Sequence, residues 1–134
     1  MPAALRIELF PRDLDRALVF YVDVLGFELV QDDRGLANPY AAVRRDAVRI
    51  GLLASPNAIG DRRPPLGVEI VVEVDDVAAE RERIAASGVR LVDDLQRRAW
   101  GLTDFRLLDP DGHFLRITDR AAVHEPAASE GEAS

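Results

Sequence analysis

The chain has 134 residues, 48% of them hydrophobic, which suits one compact domain or two small halves sharing a core and excludes a large multidomain enzyme. It has no cysteine, so disulfides, thiolate metal sites and cysteine nucleophiles are excluded together, and a cytoplasmic location is expected. The formal net charge is −7 and all 17 basic residues are arginine, so a nucleic-acid partner is not expected and lysine chemistry is excluded.

The opening MPAALRIELF has no basic region followed by an apolar core, and no apolar run reaches membrane-spanning length, so no membrane partner is expected. In ALRIELF, Leu5, Ile7 and Leu9 alternate with Arg6, Glu8 and Phe10, the period of a strand. DLDRALVFYVDVLG then places Leu14, Ala17, Leu18, Tyr21 and Leu25 at helical spacing, with Asp13 as N-cap and Gly26 as the stop. FELVQDD, PYAAVRRD and AVRIGLLA read as three short strands, and SPNAIGDRRPP as a loop.

The pattern then restarts. GVEIVVEV alternates like the first strand, DDVAAERERIAASG reads as a capped helix ending in glycine, and VRLVDD mirrors FELVQDD. Asp13 and Gly26 recur as Asp76 and Gly88, the second helix region being one residue shorter. Trp100 to Leu108 and His113 to Thr118 supply the last two strands, joined by the turn sequence DPDG. This is an internal βαβββ repeat. It predicts an α+β fold of paired modules, about 5–53 and 67–119, forming a curved, cup-like mixed sheet with helices outside. A single domain is expected over 1–119, and 120–134 lack periodicity and are expected to be disordered.

Strand alternation assigns Arg6, Glu8, Phe10, Arg49, Glu69, Glu73, Phe114 and Arg116 to the cup. It sends Leu5, Ile7, Leu9, Val68, Ile70, Val72, Leu115 and Ile117 under the helices. Two readings of the charged cup residues follow. They pair among themselves as structure, or they lie open and orient a polar ligand. Of the two histidines, His113 falls out of phase with Phe114 and Arg116 at the turn edge and His124 lies in the tail, so no catalytic residue is assigned.

DLDRALVFYVDVLGFELV resembles the first-helix signature of the vicinal oxygen chelate superfamily, which includes glyoxalase I, extradiol dioxygenases and bleomycin-resistance proteins, and LLDPDGHFLRI resembles its final hairpin. The resemblance covers about residues 5 to 119. Metal-dependent members of the superfamily draw their ligands, usually His or Glu, from one position in each of four strands. Those positions fall on Arg6, near Gly51, on Glu69 and on Arg116. Only Glu69 is a ligand type and two of the others are permanent cations, so no metal and no other cofactor is expected. Trp100, in RRAWGLTDF, matches a tryptophan-bearing segment of bleomycin-resistance proteins and is a candidate to stack on a flat ligand, although Ala99 stands where a second aromatic would reinforce it. The resemblance implies a metal-independent small-molecule binding protein of the bleomycin-resistance, antibiotic-sequestering type, most readily a homodimer sharing its cups. The alternative is an enzyme, a lyase, isomerase or dioxygenase of the glyoxalase type.

Overall fold

The computed structural model describes residues 2–55 and 68–120. Most of the predicted 55–65 loop lies outside these residues, as does 121–134, which holds His124 and all but the first residue of the predicted disordered tail. Ten elements follow in order: β1 (Ile7–Leu9), α1 (Leu14–Leu18), β2 (Glu28–Asp33), β3 (Tyr40–Arg45), β4 (Val48–Leu53), β5 (Ile70–Val74), α2 (Val77–Ala86), β6 (Leu91–Arg97), β7 (Thr103–Leu108) and β8 (Phe114–Asp119). They form two four-stranded mixed sheets, ordered β1-β4-β3-β2 and β5-β8-β7-β6. In each, the first strand runs parallel to the last, and the remaining pairs are antiparallel. This is the repeated βαβββ, α+β architecture that the sequence predicts.

Both helices start on the predicted caps. Asp13 Oδ1 accepts from the Arg16 amide at 3.1 Å, and Asp76 Oδ1 from the Ala79 amide at 3.0 Å. Both stop at a glycine of positive φ, Gly26 at 78° and Gly88 at 89°. Between its cap and stop, α1 opens into a π-helix over Val19–Val24, which the sequence did not reveal. A π-turn accommodates one extra residue within a helix, which accounts for the one-residue difference between the repeats.

Leu9, Ala17, Leu18, Tyr21, Val43, Ile50 and Leu52 of the first module join Ile70, Val72, Ile84, Phe105, Leu107, Leu115 and Ile117 of the second in one buried cluster. Leu5 and Val68, predicted to join it, are 74% and 68% exposed. Both precede the first paired residues of their strands, Ile7 and Ile70, so alternation extrapolated past the ladder fails there.

Polar contacts also tie the modules together. The Tyr21 hydroxyl donates to Asp109 Oδ2 at 2.7 Å, and the Arg12 amide to Asp111 Oδ1 at 3.0 Å, so the first module docks on the DPDG turn. That turn is held by the Gly112 amide donating to the Asp109 carbonyl, and by Asp109 Oδ1 accepting from the Asp111 and His113 amides. On the other side, the Arg45 guanidinium makes two hydrogen bonds to Glu80, at 3.0 and 2.6 Å. Arg83 donates to the Val24 carbonyl, one of the acceptors left open where the π-helix ends. Among the described residues, no helix is long and apolar enough to cross a membrane.

Candidate functional site

Each sheet turns one face into the shared core and leaves the other open. On the first sheet, β1 presents Glu8 to the open face, where Arg6, just before the strand, pairs with it, and β4 presents Arg49 and Gly51; Phe10 follows the strand and is 45% exposed. β3 adds Tyr40 and Arg44. Arg6 Nε lies 2.7 Å from Glu8 Oε2, which also accepts from the Tyr40 hydroxyl at 3.3 Å. Partial burial and the adjacent Glu8 carboxylate raise the Tyr40 phenol above its usual value. Arg49 lies directly across from Arg44, whose guanidinium reaches Glu28 at 3.4 Å. Among the described residues Arg49 has no carboxylate at ion-pair distance, leaving its charge available.

Gly51 explains how Glu8 and Tyr40 meet. A Cβ there would lie 2.3 Å from Glu8 Oε2 and 2.4 Å from the Tyr40 hydroxyl, so only glycine lets both side chains lie flat over β4. Gly51→Ala is expected to push Glu8 and Tyr40 aside. Since these are the free ends of movable, partly solvated side chains, stability should change by less than about 1 kcal/mol. Urea unfolding checks the small loss, and the tyrosine environment, read by near-ultraviolet dichroism, should change with it.

The open face of the second sheet carries a denser charge cluster. Along β7, Phe105 and Leu107 point into the core while Asp104 and Arg106 take the opposite face, next to Arg116 and Thr118 of β8. Asp104 is fully buried beneath guanidinium groups: Arg98 Nε at 2.7 Å, Arg106 at 3.7 Å and Arg116 at 3.9 Å. Glu69 lies 3.3 Å from Arg106 and 3.5 Å from Arg116, and Asp93 receives Arg98 at 2.6 Å and Arg106 at 3.2 Å. The hydrogen bond from Arg98 is the main reason the Asp93 carboxyl titrates below its usual range. Three arginines thus face three carboxylates. Within that balance two polar atoms shielded from solvent, Asp104 Oδ2 and Arg116 Nε, have no hydrogen-bond partner.

The predicted residues therefore fall on two faces. Glu8 and Arg49 belong to the first sheet, with Arg6 and Phe10 flanking β1, and Glu73, Phe114 and Arg116 to the second, with Glu69 just before β5. The ion pairs that join them, Arg6–Glu8 and Arg116–Glu69, stay within one face. Trp100 does not belong to the last strand pair, because β7 begins only at Thr103. It sits in the turn after β6, 58% exposed, where the Arg98 amide donates to the Leu102 carbonyl at 2.7 Å. His113 is tied to Asp109, its Nδ1 2.7 Å from Oδ2, on the module junction. Tyr40, Asp93, Arg98, Asp104 and Arg106 are the additions that the sequence reading missed. The signal for two of them was present in TDFRLL, which alternates polar and apolar residues as clearly as β1.

The four positions that a metal would use fit a cation poorly. Glu69 is the one anionic side chain among them and it already faces two guanidinium groups, Arg6 and Arg116 are cations, and Gly51 offers no donor atom. Among the described residues, no group of three His, Asp or Glu side chains is arranged to hold a metal ion.

Solved structures share this architecture. TioX from Micromonospora sp. ML1 superimposes with a TM-score of 0.74 at 24% identity, covering 90% of this chain and 100% of that one. UcmS2 does so at 0.73 and 24%, with the same coverage, and the lactoylglutathione lyase of Agrobacterium tumefaciens at 0.66 and 22%, covering 88% and 94%. At these identities the likeness is one of fold. No curated protein matches the sequence significantly. The family model described as Glyoxalase/Bleomycin resistance protein/Dioxygenase superfamily matches residues 4–117, nearly the whole of the described fold, and the chain belongs to that superfamily.

Proposed function

We propose that the protein binds a polar small molecule without a metal and acts by sequestering it, in a homodimer that brings the first open face of one chain against the second open face of its partner. The observation that carries the reading is Arg116 on the second open face: its side chain is a quarter exposed, its contacts with Glu69 and Asp104 are long, at 3.5 and 3.9 Å, and its Nε has no hydrogen-bond partner. A partly exposed guanidinium held only by long contacts keeps donors for a ligand's acceptor group, such as a carbonyl, a hydroxyl or a carboxylate. Arg49 on the other face adds a cation for an acidic substituent. The donor set at the metal positions speaks against the alternative of a metal-dependent lyase or dioxygenase.

A dimer is supported by what the single chain leaves uncovered. Val71, on the second open face, is 41% exposed beside Arg116, and Phe10, next to the end of β1, is 45% exposed; a two-fold pairing of unlike faces would enclose two equivalent cups. Light scattering across a concentration series should give twice the chain mass; a monomer at every concentration would contradict the shared cup. Ligand binding is tested by thermal-shift screening of small polar compounds. Hits should stabilise the native protein and lose most of their effect in Arg116→Met, whereas hits that shift both proteins equally would place the binding elsewhere.

A further inference from the structure

A second concavity lies at the module junction. It has a volume of about 680 Å³, within the size range of small-molecule sites, and is framed by Phe20 of α1, Val92 of β6, Leu108 of β7 and Phe114 of β8. Two arginines, Arg16 from α1 and Arg90 from the segment before β6, line the same groove. Its α1 wall belongs to neither open face, and its other side meets the end of the second face at Leu108 and Phe114, away from Arg116.

The charges select its ligand. Most arginines in this chain answer a carboxylate, yet among the described residues neither Arg16 nor Arg90 has one at ion-pair distance; the Arg16 amide, not its guanidinium, is held by Asp13. Asp109 also lines the groove, but its carboxylate is turned inward and occupied by the Tyr21 hydroxyl, the His113 ring and the Asp111 and His113 amides. The groove thus offers an apolar floor with unneutralised positive charge from two sides and no free negative charge. On a protein of net charge −7 that is an uncommon combination. We propose that this groove is a binding site for a monoanionic amphiphile, its apolar body lying on Phe20, Val92, Leu108 and Phe114 and its carboxylate or similar head between Arg16 and Arg90.

Octanoate and 1-octanol provide the matched probes, titrated calorimetrically into the full-length protein. Octanoate should bind once per chain and at least about ten-fold more tightly than the alcohol, because the head group is recognised by two exposed cations. The Arg16→Gln/Arg90→Gln double variant should lose about that same factor, while Arg97→Gln, which removes a charge elsewhere on the surface, should bind octanoate as the parent does. Raising the salt concentration should weaken octanoate more than octanol. Equal binding of acid and alcohol, absence of octanoate binding at millimolar concentration, or an equal loss in Arg97→Gln would each overturn the assignment. The test of the cup is separate, because it rests on Arg116, which does not line the groove.

Discussion

Asp109→Ala is expected to destabilise the fold by about 3–5 kcal/mol. Asp109 is almost completely buried, and its two oxygens accept four hydrogen bonds: from the Tyr21 hydroxyl, the His113 ring and the amides of Asp111 and His113. Alanine would leave the fully buried Tyr21 hydroxyl without an acceptor, which alone costs about 1–3 kcal/mol, and would release the turn on which the first module docks. Tyr21→Phe, which keeps the ring and leaves Asp109 three of its partners, should lose only about 1–2 kcal/mol. Urea unfolding of the three proteins tests this order; a loss below about 1 kcal/mol for Asp109→Ala would show that the turn does not hold the modules together.

The same carboxylate fixes a pH dependence. Burial opposes its ionisation, but the hydrogen bond and charge of His113, with the Tyr21 hydroxyl and the His113 amide, outweigh burial and hold Asp109 below the ordinary aspartate value. A group whose folded value is depressed contributes stability that is present above the unfolded value, near about 3.9, and lost as the pH falls through the lower folded value. The acid limb of the stability profile should therefore be shallower in Asp109→Asn than in the parent.

The second large effect distinguishes structural from available charge on the second face. Arg98→Met should cost about 3 kcal/mol, because it removes the 2.7 Å partner of a fully buried carboxylate, Asp104, while Arg106 and Arg116 remain only at 3.7 and 3.9 Å. Arg116→Met should cost about 1 kcal/mol or less, since its contacts with Glu69 and Asp104 are long and its side chain is a quarter exposed. Adding Asp104→Asn should recover much of the Arg98→Met loss, by removing the stranded charge, and should do little for Arg116→Met. The reverse order of losses would make Arg116 a structural residue and leave the proposed cup without its principal donor.

Much of the fold was legible because the signals were local. Period-two alternation marked β1, β5 and β8 and assigned Arg6, Glu8, Glu69 and Arg116 to their open faces; aspartate caps and glycine stops bounded both helices. The π-turn was hidden because one added residue still keeps Leu18, Tyr21 and Leu25 on one helical side. The division of the candidate residues between two faces was hidden for a different reason. Alternation says which way a side chain points from its own strand, not where one sheet lies relative to another, and that is decided by long-range contacts such as Tyr21–Asp109 and Arg45–Glu80. The Arg98–Asp104 pair joins β7 to a residue beyond the end of β6, so no strand period could have shown it. Leu5 and Val68 show the opposite error, a valid period carried past the end of its hydrogen-bonded ladder.

Calorimetric titration of nickel or zinc into chelator-stripped protein tests most directly the proposal that ligand recognition needs no metal. With Arg6 and Arg116 at two of the ligand positions, Gly51 at a third and Glu69 engaged by two guanidinium groups, no stoichiometric uptake is expected. Binding of one ion per chain at micromolar or tighter affinity, abolished by Glu69→Gln, would contradict it.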